Sequence, residues 1–217
     1  MANIILGGQT IKAVAQQREI PCLVHFTRVE NLPGILRQGL LPVAAAQRFG
    51  VRPLINDELR LDECPDATSL SIGFPNAPMF YKYRCRSSDL GWVVLELEPA
   101  VLWTKPSLFC SQNAASSAMR WQTRAQRSTV EAFRGMYEDV VGTQVRGRQP
   151  LQCFDPTDVQ AEVLVTDVIE PQFIRRAVFC HPAVRDHYLP FLAGLHTQID
   201  RPGRGYFADR TCARTHG

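Results

Sequence analysis

The chain has 217 residues, 45% of them hydrophobic, and a formal net charge of +3. That is enough to bury a substantial core, and no apolar run approaches the roughly 18 residues of a membrane span. Seven cysteines (Cys22, Cys64, Cys85, Cys110, Cys153, Cys180, Cys212) include no C-x-x-C pair, which argues against a zinc site or disulfide framework and for reduced thiols in a cytoplasmic protein.

In chain order, "MANIILGGQTIKAVAQ" lacks the basic and long apolar segments of a secretory signal, and residues 10–18 predict a short helix. "CLVHFT", 22–27, reads as a strand with a polar end. "VENLPGILRQGLL", 29–41, reads as a helix with Asn31 as N-cap, Pro33 in the first turn, an apolar face of Ile35, Leu36 and Leu40, and Gly39 near its end. Residues 54–68 are polar and turn-rich, a loop that carries Arg60. "SLSIGF", 69–74, is a strand. "PNAPMFYKYR", 75–84, is a proline-punctuated turn that sets Met79, Phe80 and Tyr81 beside Lys82 and Arg84. Such a surface can stack an unpaired base and hold its phosphates. "GWVVLELEP", 91–99, is a strand, and 114–137 a helix with Arg120, Arg124, Arg127 and Arg134 along one solvated face. Residues 142–158 form a long loop in which Arg146 and Arg148 could extend the basic track. "FIRRAVFC" is a further strand and "PAVRDHYLPFLAGL" a helix interrupted at Pro190. The basic end "DRPGRGYFADRTCARTHG" forms a last strand and a frayed tail.

Between them lies "PTDVQAEVLV", 156–165, which reads as a strand with an acid in its middle. Val159, Ala161, Val163 and Val165 fall on one face, and Gln160, Glu162 and Leu164 on the other. A carboxylate turned toward a core is costly unless something pairs with it. Only Lys12, Lys82 and Lys105 are lysine, so arginine supplies the other 21 of the 24 basic residues. Arginine's fork suits phosphates and bases, although codon bias produces the same composition. Strands early, middle and late, mixed with short helices and long loops, predict one α+β domain over residues 1–217 with a mixed sheet. No βαβ repeat and no glycine-rich phosphate loop is present.

Three pieces line up in this order: His25-Phe26-Thr27 at a strand end with a helix finishing at Gly39-Leu40, Arg60 in the polar loop, and Gln160-Ala161-Glu162 on the late strand. With "FPNAPMF", "VFCHPAVRDHYL" and "RGYF" they resemble the ADP-ribosyltransferases, and most closely the DarT family of toxins that modify single-stranded DNA. The resemblance covers some 180 residues. It implies the split β-sheet of that superfamily and NAD as the ADP-ribose donor, with no metal. His25 would contact a ribose, the backbone at Phe26 and Thr27 would hold the nicotinamide amide, and Gly39-Leu40 would close against the nucleotide. Glu162 would stabilise the positive charge that grows on the ribose as nicotinamide leaves. Arg60 would sit by the pyrophosphate or the acceptor base, with Arg52 its rival. Met79, Phe80, Tyr81, Arg84, Arg146, Arg148 and Gln160 would contact the nucleic acid, an unpaired strand because a duplex hides the reactive edge. "RLDECPDATSLSIGFPNAPMF" looks like the guanine-modifying branch more than the thymine-modifying one. The resemblance also implies an antitoxin with a macrodomain or NADAR-type hydrolase.

Other readings of the same residues stand beside this one. They are transfer to RNA or protein, an RNA 2'-phosphotransferase, and a nucleic-acid-binding module that has lost the reaction. The phosphotransferase has no use for a catalytic glutamate, and a binding module gives no reason for the polar pair Gln160 and Glu162.

Overall fold

The computed structural model describes residues 9–48, 50, 54, 63–86, 91–142, 145–192 and 194–216. Thr10 caps α1 (Ile11–Gln17) by accepting from the Ala13 N–H. β1 (Leu23–Arg28) follows, then a 3-10 turn (Val29–Asn31) that leads into α2 (Leu32–Gln38) and α3 (Val43–Arg48). β2 (Thr68–Ile72), α4 (Ala77–Arg86), β3 (Trp92–Leu97), α5 (Val101–Thr104) and β4 (Ser107–Cys110) come next. The second half contains α6 (Ser117–Arg120), α7 (Arg124–Arg127), α8 (Val130–Gly135), β5 (Glu162–Val165), β6 (Ile174–Phe179), α9 (Pro182–Tyr188), β7 (His196–Ile199) and α10 (Arg210–His216).

The fold is α+β, as expected. Among the described residues, seven strands form one sheet in the order β4-β5-β2-β1-β3-β6-β7, antiparallel except for the β6–β7 pair. One face carries the larger core, in which Leu23, Leu70, Leu95, Val163 and Phe179 pack under α1, α2, α5 and α8. The other face is divided. Val24, Val94 and Val178 pack with Phe80, Trp92 and Phe207 over β1, β3 and β6. Leu108, Cys110 and Leu164 pack with Cys64, Ala114 and Met119 over β4 and β5.

The division follows a seam in the sheet. β1 pairs with β3 from Leu23 to Arg28 but with β2 only at Leu23–Ile72 and Val24–Ser71. Beyond those pairs β1 and β2 part, and the His25 ring bridges the gap, its Nδ1 2.9 Å from the Ser69 carbonyl oxygen. Among the described residues no helix is long and apolar enough to cross a membrane.

Several elements differ from the sequence reading, each for a local reason. Residues 75–84 are not a turn. The Asn76 side chain accepts from the Met79 N–H, Pro78 fits the first turn where no donor is needed, and α4 runs on from there. The helix expected over 114–137 is three short ones, because Ser116, Thr123 and Thr129 each accept a backbone N–H and restart the helix. The arginines on it therefore share no single solvated face. Arg120 pairs with Glu63 and Arg124 with Asp66, Arg134 donates to Gln9, and Arg127 is buried. Asn31 makes no cap hydrogen bond and spends its amide elsewhere. The strand expected from 156 begins only at Glu162.

The C-terminal segment is docked, not frayed. Arg210 donates to the carbonyls of Pro156 and Thr157 at 2.8 and 3.0 Å. Arg214 grips the Asp155 carboxylate with two hydrogen bonds of 2.8 and 2.7 Å. Asp155 is fully buried, so removing Arg214 leaves its charge away from water with the Gln152 N–H at 2.9 Å and no salt bridge among the described residues. Arg214→Met is expected to cost about 3–5 kcal/mol, read from urea unfolding of the two proteins at neutral pH.

Candidate active site

Glu162 opens β5 and is only 5% exposed. Its Oε2 accepts the Ala114 N–H at 2.9 Å, so the loop after β4 fixes the carboxylate. Across the β4–β5 pair its direct neighbour is Cys110. The thiol of Cys110 accepts from Arg127 Nη1 at 3.7 Å. Burial is the main reason that this thiol is pushed up to about 11, with the Arg127 hydrogen bond and charge opposing and the Glu162 charge adding to the rise.

Gln160 does not share the Glu162 face. Residues 158–161 form a turn in which the Gln160 N–H donates to Asp158 Oδ1 at 2.8 Å and the Ala161 N–H to the Asp158 carbonyl at 3.1 Å. The two-residue strand period therefore does not reach back to position 160.

His25 lies on β1, on the opposite side of β2 from β5. A carbonyl can only accept, so Nδ1 carries the proton and Nε2 keeps its lone pair. Burial lowers the ring's affinity for a second proton, with the Ser69 hydrogen bond opposing. The Thr27 hydroxyl accepts from Asn31 Nδ2 at 3.0 Å. The same amide clamps the backbone of Leu54, donating to its carbonyl at 3.0 Å and accepting its N–H at 2.9 Å. Arg52 and Arg60 lie outside the described residues. At the parted end of the seam, Thr68 Oγ1 is buried with no hydrogen-bond partner among the described residues. With the bare Nε2 of His25, which alternation places on the same face of the sheet, it gives the seam a hydroxyl and an acceptor suited to a ligand that bears hydroxyls.

Gly39 adopts φ +88°, a conformation that L side chains rarely take, and a Cβ there would overlap the Ile169 carbonyl. That carbonyl accepts the Leu40 N–H at 2.9 Å, and the Leu40 carbonyl accepts the Ile169 N–H at 3.1 Å. The Gly39-Leu40 segment is thus laced to the chain just after β5, and Leu40 is buried in the larger core.

The expected nucleic-acid contacts divide. Phe80 is 1% exposed and stacks on Phe26 with ring centroids 4.6 Å apart. Burying such a ring contributes roughly 1.5–3 kcal/mol, a gain that is lost if it turns out to stack a base, so Phe80 supports the surface from below. Phe26 belongs to the same aromatic cluster, within 6.3 Å of Trp92. Arg84 folds inward too, donating to the Phe207 carbonyl at 3.2 Å and lying over the Phe80 and Phe207 rings. Tyr81 is 64% exposed, and Met79 is partly so. Arg146 donates to the carbonyls of Asp155 (2.6 Å), Gln152 (3.1 Å) and Cys153 (3.4 Å). Its guanidinium thereby shapes the loop that leads to Glu162, while Arg148 is exposed two residues on. The sequence reading missed the buried Arg127 and the orphaned Thr68 hydroxyl, for which a linear sequence carries no signal. Among the described residues, no cluster of His, Cys, Asp and Glu could hold a metal ion.

Since burial holds His25 below its ordinary value of 6.5, the unfolded chain binds more protons just below that pH. The stability contributed is complete above pH 6.5 and is lost as pH falls through the folded value. Urea midpoints should fall as pH drops below about 6.5, and His25→Gln should flatten that part of the curve.

A family model described as ssDNA thymidine ADP-ribosyltransferase, DarT, matches residues 24–201. No curated protein sequence matches significantly. Among solved structures, the chain is similar to Thermosipho africanus DarTG in complex with ADP-ribose at 16% identity and a TM-score of 0.61, covering 86% of this chain and 50% of that one. The chain therefore spans half the length of that relative. It is also similar to Thermus sp. 2.9 DarT in complex with carba-NAD+ at 16% identity and a TM-score of 0.58, covering 84% of this chain and 97% of that one. The Thermus sp. 2.9 DarT complex with ADP-ribosylated ssDNA gives 16% identity and a TM-score of 0.54, over 84% and 95% of the two chains. At such identities the likeness establishes the fold.

Proposed function

The chain belongs to the DarT family of NAD-dependent ADP-ribosyltransferases, and on that premise we propose that it transfers ADP-ribose from NAD to a base of single-stranded DNA, with Glu162 as the catalytic acid residue. The observation that carries the reading is the buried carboxylate at the head of β5, oriented by the Ala114 N–H beside a sheet that opens at its seam. A carboxylate held in place before the reaction stabilises positive charge on the ribose without reorganising. In the transfer, the glycosidic bond to nicotinamide breaks and its electron pair leaves with the nicotinamide ring. A lone pair of the acceptor base forms the new bond to the same carbon, and the proton that the base gives up passes to solvent water. Glu162 accepts a ribose hydroxyl hydrogen and balances the charge that develops between these events. His25, neutral and with Nε2 unprotonated, accepts a second ribose hydroxyl. Arg60, with Arg52 as rival, is assigned to the pyrophosphate or the acceptor. Tyr81, Met79 and Arg148, each at least partly exposed, are assigned to the nucleic-acid strand.

The whole described chain acts in this reading as one catalytic domain in the cytoplasm, as the toxin of a toxin–antitoxin pair. Its partner is a hydrolase that removes the mark, of macrodomain or NADAR type. The family description names thymidine, whereas the segment from Arg60 to Phe80 is closer to a guanine-modifying pattern, and we keep guanine as the working base.

Four single-stranded oligonucleotides, each lacking one base, incubated with NAD and weighed by mass spectrometry, test both levels. A gain of ADP-ribose that disappears only without guanine supports the working base, and one that disappears only without thymine replaces it. Gain on RNA or protein alone overturns the substrate. Glu162→Gln should lower transfer by at least about 10²–10³-fold with folding and NAD binding retained, and undiminished transfer by that variant sinks the assignment.

A further inference from the structure

We propose that Arg127 is a positioning residue for Glu162: its buried guanidinium, seated behind Cys110, keeps the carboxylate ionised without touching the oxygens that must meet the ribose. The inference rests on the reading of Glu162 given above. Arg127 ends α7, is 6% exposed and makes no salt bridge among the described residues. Among the described residues its Nη1 reaches only the thiol of Cys110, a weak acceptor, and its Nε is buried with no hydrogen-bond partner. A guanidinium in such a place is expensive to bury and contributes little by hydrogen bonding. The register explains the placement. Cys110 and Glu162 are directly opposed on neighbouring strands, so their Cβ atoms lie about 4.5–5.5 Å apart on one face. The cation is thus one small side chain away from the acid, and the Cys110 thiol responds to both charges.

The described members of the apolar cluster on this face carry no charge of their own. Leu108, Ala114, Met119 and Leu164 are neutral, and Cys64 is a buried thiol. Arg124, which interacts with Cys64, is committed to the Asp66 carboxylate by two hydrogen bonds. A cation near a carboxylate favours its ionised form. Activity that needs ionised Glu162 is lost as pH falls through its pKa, so removing the Arg127 charge must move that loss to higher pH.

The test labels glutamate with ¹³C at the side-chain carboxyl and titrates the protein by NMR, with Glu162→Gln identifying the resonance. In Arg127→Met and Arg127→Gln the Glu162 midpoint should rise by about one pH unit or more, while Arg127→Lys should restore most of the wild-type value. The acid limb of kcat for ADP-ribose transfer should move by the same amount, with KM for NAD little changed. Variants that melt earlier but titrate like wild type make Arg127 merely structural and overturn the proposal. Failure of both neutral variants to fold does the same. The titration needs no turnover. A moved midpoint in a protein that transfers nothing would defeat the catalytic reading while leaving this one standing.

Discussion

A buried carboxylate at the first residue of an inner strand, on the sheet face that also bears Leu108 and Leu164, is the constraint around which this site is arranged. Removing a carboxylate from water costs several kcal/mol even after the protein relaxes. A hydrogen bond to a charged group returns about 1.5–3 kcal/mol, so the Ala114 N–H offsets part of that cost. The sheet meets it in two ways. The strands part at the seam between β1 and β2, which leaves the Thr68 hydroxyl and the His25 ring at the opening. Behind the strand, a buried guanidinium sits one residue away. The divided second face of the sheet follows from the same demand, since a continuous apolar core there would seal the acid in.

Arginine is used mainly as mortar. Arg146, Arg210 and Arg214 all close on residues 152–157, the approach to Glu162, and between them bond several backbone carbonyls and the buried Asp155 carboxylate. A planar fork with five donors can satisfy two or three carbonyls of an irregular loop at once, which an ammonium on a flexible stem does less well. A loop without strand or helix hydrogen bonds needs such partners for its buried carbonyls. The excess of arginine over lysine is therefore accounted for in part inside the protein, before any nucleic acid is considered. The same logic covers Arg84, whose cation lies over aromatic rings and caps the Phe207 carbonyl.

The strand cores and the acid were legible because their signals are local. "CLVHFT", "GWVVLELEP" and "FIRRAVFC" each announce a strand through consecutive apolar residues, and an acid beside "VLV" is conspicuous in any such run. The helix from Ala77 was misjudged because two prolines suggested a turn, although Pro78 stands where a helix tolerates proline and Asn76 supplies the cap. The long helix over 114–137 was broken by three hydroxyl caps, whose effect depends on where the backbone is already bending. Gln160 falls before the strand: an alternating pattern does not say where a strand begins, and the Asp158 turn decides that.

The sequence by itself determined the class of fold, the strand that bears the acid and the order of the motifs around it, because alternation, caps and apolar runs act over a few residues. Only the tertiary structure decided what each charged group faces. Whether Arg127 is a surface charge or a buried neighbour of Glu162, and whether Arg146 reaches out to a strand of DNA or inward to its own loop, depends on strands and helices brought together from distant parts of the chain. Desolvation and Coulomb interaction depend on distance and burial in space, and neither quantity is written in the order of the residues.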